Sequence, residues 1–458
     1  MTVAANAERD SQQKRRFGLP VCFLPFVFLA AVGTFTRSVA EDIRWSIVHA
    51  GVLIDVPGKP PRSATTILIR GDRIAALRDG FVDAAVFDEL RGAHYEVIDL
   101  RAYTVLPGLI DAHVHLSWNL QEPYWKEATT SLEAQTLIAV QNAARTLRAG
   151  FTTVRDLGSR GSSVHALRDA IDRGDLPGPR IVSAGAPLSI IGGHGDINGF
   201  RPEVDDLLSS EEAAVCTGAD ECARQVRLVA KRGAQVIKVM ATGGILSQQS
   251  SGLDQHLSAV ELRSIVDTAH ALGLKVAAHA HGPQGILAAV HAGVDSIEHG
   301  TYIDDRGVSA MKRSATFMVP TLRATYALHQ GLAEGRFTPQ VAAKAHEILG
   351  GVIGQALRQA RLGKVPIAFG TDAGVFPHGK NAEEFNLLVT LGGLSATDAL
   401  VTATINAARL CGMEASIGTI EAGKYADLIA VHGDPYDDIR VLEDVAVVMK
   451  GGRVVSAP

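Results

Sequence analysis

The sequence predicts an α/β fold, a (β/α)8 barrel with a small β-sandwich domain built from both chain ends. Three observations predict it. Both ends are rich in short strands, apolar runs alternate with helical segments between them, and eight apolar runs can be counted, the number that closes such a barrel. We therefore divide the chain into a signal peptide (1–40), the N-terminal part of the small β domain (41–107), the barrel (108–415) and the C-terminal part of the small domain (416–458).

The first forty residues have the organisation of a signal peptide. Lys14-Arg15-Arg16 precedes an apolar run over 17–32, and Ser38-Val39-Ala40 supplies the small residues that a signal peptidase needs. Pro20 and Pro25 interrupt the apolar run, which disfavours a membrane-spanning helix. We expect cleavage after Ala40 and a periplasmic or secreted protein without stable membrane association. An uncleaved anchor and a cytosolic tail are the alternatives.

The small domain is predicted from strand-like segments at both ends of the mature chain. Their alternating apolar residues and Gly-Asp turns indicate an antiparallel sheet. The segments are AGVLIDV (50–56), TTILIRGDRIAAL (65–77), EVIDLRAYTVLPG (96–108), ADLIAVHG (426–433) and AVVMKGGRVV (446–455).

The barrel is predicted from eight apolar runs separated by segments long enough for a helix each. The helical pattern is clearest over 133–150 and 260–274, where apolar residues recur every three to four positions before a glycine. The strands are LIDAHVHL (109–116), FTTVRD (151–156), RIVSAG (180–185), QVIKVMA (235–241), KVAAHA (275–280), SIEHG (296–300), TFMVPT (316–321) and PIAFGTD (366–372).

Composition and cysteine content narrow the class of protein. A formal net charge of −5, with no basic run in the body of the chain, argues against nucleic acid as a partner. The mature chain keeps three cysteines. Cys216 and Cys222 are spaced to close a small loop as a disulfide in an oxidising compartment. Cys411 lies in an Ala-rich helical segment and is interpreted as a small buried apolar residue.

Polar residues stand at the ends of five predicted strands, where the active site of such a barrel opens. Taken singly, each has a structural explanation, as a hydrogen-bonded histidine, a lysine paired with an acid or a helix N-cap. Together they are hard to explain in that way, because unpaired polar groups in a barrel mouth are costly. They predict a metal site made of His113, His115, Lys238, His279, His299 and Asp372.

PGLIDAHVH, the strand-four lysine, the two later histidines and the aspartate of GTD resemble the ligand set of the binuclear amidohydrolases, a branch of the amidohydrolase superfamily with a carboxylated lysine. The resemblance implies two divalent metal ions, with zinc favoured over manganese or cobalt. It implies that His113, His115 and Asp372 bind the more buried ion and that His279 and His299 bind the more exposed one. Lys238, carboxylated by carbon dioxide, would bridge the two.

Further segments resemble prolidase-like and imidazolonepropionase-like dipeptidases and ochratoxin-hydrolysing amidases. They include GGHGDINGF (192–200), PTLRATYAL (320–328) and GTDAG (370–374). The resemblance implies a small-molecule amide substrate that is cleaved next to a free carboxylate by a metal-bridged hydroxide. We also expect a homo-oligomer. The catalytic candidates are Asp372, which would transfer the proton, Lys238 and His281, and the substrate-binding candidates are Ser117, His194, His281, Arg323 and Tyr326.

Three alternatives remain. A mononuclear deaminase of the superfamily carries a Glu three residues after the strand-five histidine, where this chain has Gly282. Hydrolysis of a cyclic amide, as in imidazolonepropionase or hydantoinase relatives, is the second alternative. The third is a non-catalytic scaffold of the same fold, which predicts missing ligands, whereas all the expected ligand positions are filled here. Hydrolysis of a linear dipeptide or N-acyl amino acid remains the preferred interpretation.

Overall fold

The computed structural model describes residues 44–119, 122–212, 214–248, 252–349 and 353–457. The predicted signal peptide lies outside these ranges. Within them, no helix is both long and apolar enough to cross a membrane. The strands are β1 (Trp45–Leu53), β2 (Arg62–Arg70), β3 (Arg73–Asp79), β4 (Tyr95–Pro107), β5 (Leu109–Val114), β6 (Phe151–Asp156), β7 (Arg180–Ser183), β8 (Leu188–Ser189), β9 (Ala214–Val215), β10 (Val236–Met240), β11 (Lys275–Ala280), β12 (Ser296–His299), β13 (Phe317–Val319), β14 (Leu428–Val431), β15 (Val445–Lys450) and β16 (Arg453–Ser456).

Helices follow most of the barrel strands. Their ends show why the sequence folds locally as it does. Ser258 and Glu261 form a capping box at the start of one helix, and its buried residues from Leu262 to Ala269 recur at helical spacing. The helices are α1 (Leu132–Arg148), α2 (Ser163–Asp172), α3 (Pro202–Glu212), α4 (Ala219–Lys231), α5 (Ala259–Ala271), α6 (Pro283–Ala292), α7 (Asp305–Ser314), α8 (Leu322–Ala333), α9 (Pro339–Leu349), α10 (Gln355–Leu362), α11 (Glu383–Thr390), α12 (Ala396–Val401) and α13 (Ala407–Leu410).

Both ends of the described chain build one seven-stranded sheet in the order β16-β15-β14-β4-β1-β2-β3. Strands from both ends of the chain pack into one hydrophobic core. It contains Val48 of β1, Ile67 of β2, Leu428 of β14 and Val447 of β15. The prediction of an antiparallel sheet is wrong for one pair, because β1 and β4 run parallel. The connection over 80–94 returns the chain to the start of β1, and β4 therefore runs alongside β1 in the same direction.

The barrel closes through hydrogen bonds between its two parallel ladders. Strands β5-β6-β7 form one ladder, and β13-β12-β11-β10-β8-β9 form the other. Gln235 N donates to Ser183 O at 2.8 Å and joins them on one side. On the other side the segment 366–373 completes the circle, since Met318 N donates to Pro366 O and His115 N donates to Ala373 O, each at 2.8 Å. All eight predicted strand segments therefore lie in the barrel wall.

Two features of the barrel exceed the predicted pattern. The short strands β8 and β9 extend the wall beside β10. Helices α8 and α9 form an insertion between β13 and the last wall segment. Cys216, which follows β9, and Cys222, in the first turn of α4, are joined as a disulfide with their Cα atoms 5.0 Å apart. Cys411 is the free cysteine of the described chain.

Candidate metal centre and substrate cavity

The carboxyl ends of the barrel strands surround a cavity of about 250 Å³. Parallel strands all end at the same face of a barrel, so side chains at successive strand ends converge there. The structure brings together all the predicted metal ligands, and each of them lines this cavity: His113, His115, Lys238, His279, His299 and Asp372.

The first pair of histidines faces the aspartate of the last wall segment. Nε2 of His113 and Nε2 of His115 lie 3.4 Å and 3.0 Å from Asp372 Oδ1. Their Nδ1 atoms are used elsewhere, since His113 donates to Glu298 Oε2 at 2.8 Å and His115 donates to Gly158 O at 3.0 Å. These bonds fix the tautomer and leave both Nε2 atoms available to a metal ion.

The second pair of histidines stands on the opposite wall. The rings of His279 and His299 are 4.6 Å apart, and the ring of His299 is 5.2 Å from that of His113. His299 Nδ1 is hydrogen-bonded to Thr321 Oγ1 at 2.7 Å. Three potential ligand atoms lie within 4.8 Å of one another, one each from His113, His299 and Asp372. A single metal ion can contact atoms at this spacing.

Two of the predicted ligands, and the threonine that is hydrogen-bonded to one of them, have a strained backbone. His299, Thr321 and Asp372 have positive φ values of 68°, 50° and 60°. This left-handed region is costly for residues other than glycine, and such strain collects at functional sites. At His299 and Asp372 it falls at the strand end, where it redirects a side chain that regular alternation would send elsewhere.

Lys238 is the buried amine of the cavity. Its side chain is 1% exposed, and it has no hydrogen-bond or salt-bridge partner among the residues that the structure describes. Burial lowers the pKa of this amine to about 8, although the charges of Glu298 and Asp372 oppose the shift. About a tenth of this amine is therefore neutral at pH 7, far more than of an exposed lysine.

The charge states of the cluster suit a metal ion. Burial lowers the pKa of His113 to about 4 and holds those of His279 and His299 well below the ordinary value. The pKa of Asp372 is lowered in spite of its burial, because His113 and His115 stabilise the carboxylate. Neutral imidazoles and an ionised carboxylate are the donor set that zinc and similar cations bind.

Sequence reasoning missed the residues that hold these ligands. Glu298 is fully buried, and besides His113 it accepts a hydrogen bond from Arg155 Nη2 at 2.9 Å. Burial raises the pKa of Glu298, but Arg155 and His113 outweigh it and bring the pKa to about 2. Asp111 accepts from Thr371 Oγ1 at 2.6 Å and thereby fixes the segment that carries Asp372. The signal for Glu298 was an acid beside a predicted ligand in SIEHG.

Two of the predicted substrate residues line the cavity. His281 Nδ1 is hydrogen-bonded to Thr301 Oγ1 at 2.7 Å, and the ring of His281 lies 5.1 Å from that of His299. The ring of His194 lies 4.4 Å from that of His279. A Cβ at Gly244 would come within 2.2 Å of the His194 ring, so a glycine is needed there.

The other three candidates lie apart from the cavity lining in the described chain, which differs from the prediction. The side chain of Arg323 is directed to Glu383 and packs 4.6 Å from the ring centroid of Phe376, because α11 lies against α8. Tyr326 is 44% exposed on α8, while Ser117 is buried beside β5. The lining cations that the sequence did not indicate are Arg160, which pairs with Glu127, and Arg336.

A parallel barrel whose strand ends gather imidazoles and a carboxylate in one cavity is the architecture of a barrel hydrolase. The chain belongs to the amidohydrolase family, whose sequence profile matches residues 104–455. This confirms the resemblance and the fold class expected from the sequence.

Individual relatives cover most of the chain. An ochratoxinase of Aspergillus niger is 31% identical over 441 residues, covering 91% of this chain and 88% of that protein. A solved structure of a Xaa-Pro dipeptidase with bound methionine in the active site is 38% identical, with a TM-score of 0.81, and the match covers 90% of this chain and 100% of that one. An imidazolonepropionase of Symbiobacterium thermophilum is 26% identical over 449 residues, covering 89% and 96% of the two chains.

Proposed function

We propose that the chain is a binuclear metal-dependent hydrolase that cleaves an amide bond next to a free carboxylate, in a dipeptide or an N-acyl amino acid. The observation that carries the proposal is the environment of Lys238. A buried amine is costly unless its surroundings compensate it. Lys238 is 1% exposed and shares a cavity with four predicted ligand imidazoles and Asp372, and the opposite charges that act on it are those of Glu298 and Asp372.

The residues present fit two cations. His113, His115 and Asp372 would hold one, while His279 and His299 would hold the other. The neutral amine of Lys238 would add to carbon dioxide and release a proton, and the resulting carbamate would supply anionic oxygen ligands to the cations. Since an unmodified ammonium would repel both cations, the charge balance of the site favours the carbamate.

The bound cations would supply Lewis acidity, by polarising the scissile carbonyl and lowering the pKa of water. Asp372 is the proton carrier, because its carboxylate faces both His113 and His115 and its low pKa keeps it ionised. It takes the proton of the attacking water and gives it to the leaving amine. His281, held through Nδ1 by Thr301, keeps its other ring nitrogen available to the substrate.

The free carboxylate is supported by hydrogen-bonding groups of the lining, namely one guanidinium and two imidazoles, and by the relatives. Arg160 and the imidazoles of His194 and His281 line the same cavity as the metal ligands. The Xaa-Pro dipeptidase at 38% identity acts, by its name, on dipeptides. A carboxylate in such a cavity is stabilised by charge-assisted hydrogen bonds.

The structure disfavours deamination as an alternative. A deaminase glutamate would occupy the position of Gly282, where an added Cβ would lie 2.2 Å from Leu253 O. Backbone atoms cannot yield that space cheaply. Hydrolysis of a cyclic amide remains an alternative, and the substrate screen described next includes it.

The test is a hydrolysis screen on metal-loaded protein. A dipeptide and an N-acyl amino acid are expected to react, while the analogue with an amidated carboxylate should react about tenfold or more slowly, because bonds to charged groups are worth about 1.5–3 kcal/mol. His279→Ala should lose metal and activity, whereas His94→Ala, at an exposed site in the small domain, is the matched control. Faster cleavage of a cyclic amide would replace the substrate class, and no cleavage by fully metallated protein would overturn the function.

We also propose that the mature chain is exported and assembles as a homo-oligomer, without stable membrane association. Export rests on the N-terminal pattern of charge, apolar run and small residues. Sedimentation of the purified mature chain measures its subunit number, and a monomer at micromolar concentration would contradict the second proposal.

A further inference from the structure

A second hollow of about 650 Å³ opens beside the metal cavity. We call it the aromatic groove, and its relevant lining residues are Tyr124, Trp125, Phe200, Gln248, Arg336 and Phe337. Aromatic residues make up 5% of the chain, yet four of them meet here. Trp125 is 56% exposed. This exposed indole is not needed to fill the core and is available to a ligand.

The groove is a built surface. The rings of Tyr124 and Phe200 stack with centroids 5.0 Å apart and planes 7° from parallel. Tyr124 Oη donates to Asn198 O at 2.6 Å, which holds the stacked pair against the loop over 187–199. A Cβ at Gly199 would lie 2.8 Å from Gln248 Cγ, so the glycine admits the Gln248 side chain to the groove wall.

The groove adjoins the metal cavity. Tyr124, Gln248, Arg336, Phe337 and Thr338 line both hollows. A substrate whose amide lies among the metal ligands can therefore extend into the groove. A small acyl group such as acetyl would leave the groove empty.

We propose that the aromatic groove binds the acyl half of the substrate and that this half is a planar aromatic acyl group. The inference rests on the proposed function. The carboxylate of the leaving amino acid is two bonds from the scissile nitrogen, so it stays in the metal cavity with Arg160 and His281. The outer groove is left to the acyl group. The exposed indole of Trp125 and the planar guanidinium of Arg336 are both groups that stack well on the face of an aromatic ligand.

The test compares two substrates with the same leaving amino acid, one N-acetylated and the other N-(2-naphthoylated). The naphthoyl substrate is expected to have the higher kcat/KM, by about tenfold or more. Trp125→Ala and Phe200→Leu should each reduce this preference about three- to tenfold, as expected for the loss of one aromatic contact. Tyr95→Ala, which removes an aromatic residue of 46% exposure from the small domain, is the matched control.

The outcomes separate this inference from the proposed function. Equal kcat/KM values for the two substrates, or a preference that follows the side chain of the leaving amino acid, would overturn the groove assignment while leaving the hydrolase intact. If neither substrate is hydrolysed, the proposed function fails, and binding of the naphthoyl compound still tests the groove. Quenching of tryptophan fluorescence that is lost in Trp125→Phe would support the assignment, whereas quenching unchanged in this variant, or none, would refute it.

Discussion

Glu298→Gln tests whether the buried acid beside the ligands determines metal affinity. Glu298 and Arg155 are at most 1% exposed, and the substitution removes the negative charge that both Arg155 and His113 contact. Removing one partner of a buried ion pair costs about 3–5 kcal/mol. We expect the free energy of unfolding to fall by about 3 kcal/mol, the lower end of this range, because the amide oxygen of Gln still accepts a hydrogen bond from Arg155. We also expect metal affinity to fall about 10–100-fold, since a partner of a liganding histidine is lost.

The two quantities are measured separately. Urea unfolding of metal-free protein gives the stability change, and competition with a chelating dye gives metal affinity. Glu96→Gln removes the acid of an arginine pair that is about half exposed, and its cost should stay below about 1 kcal/mol. If Glu298→Gln matched this control in stability and kept metal affinity within about threefold, the assignment of Glu298 would be refuted.

Three further predictions follow from the chain. Lys238→Ala should lose most metal and activity together, because in the proposed binuclear site both ions would share this ligand, and a short carboxylic acid should restore part of the activity; two retained metals with normal turnover would contradict the binuclear site. Mass mapping of exported protein without reductant should find Cys216 and Cys222 in one cross-linked peptide, and two alkylated thiols would reject the pairing. N-terminal sequencing of protein from the native host should begin near Glu41, whereas an intact Met1 would argue against cleavage.

Strand alternation explains which ligands the sequence could predict. His113 and His115 are two residues apart, so regular alternation places both on the inner face, and the structure confirms that they line one cavity. Glu298 and His299 are adjacent and would face opposite sides under the same rule. The positive φ of His299 breaks the alternation, and both side chains contact the same centre. No periodic pattern reveals such a break.

Long-range packing explains why Arg323, one of the three predicted substrate residues outside the cavity lining, points elsewhere. Arg323 follows a predicted strand end, which is a reasonable position for a substrate contact. Its direction depends on Glu383, which is 60 residues away on α11. The parallel pairing of β1 with β4 is likewise set by a connection whose return path no local pattern specifies. Such contacts join segments that are distant in the sequence, and the local pattern of neither segment predicts them.

The predicted metal ligands and the rest of the cavity lining lie on different parts of the barrel, which explains why the class of reaction is easier to infer than the substrate. Most of the predicted metal ligands stand on wall segments whose positions are fixed by the parallel ladders. The other walls of the cavity come from the loop over 187–199 and from α8 and α9, where Leu328 and Val341 line it. Connections of this kind vary without disturbing the core. A relative can therefore share the ligands and still bind a different acyl group, so substrate specificity has to be tested on the groove residues themselves.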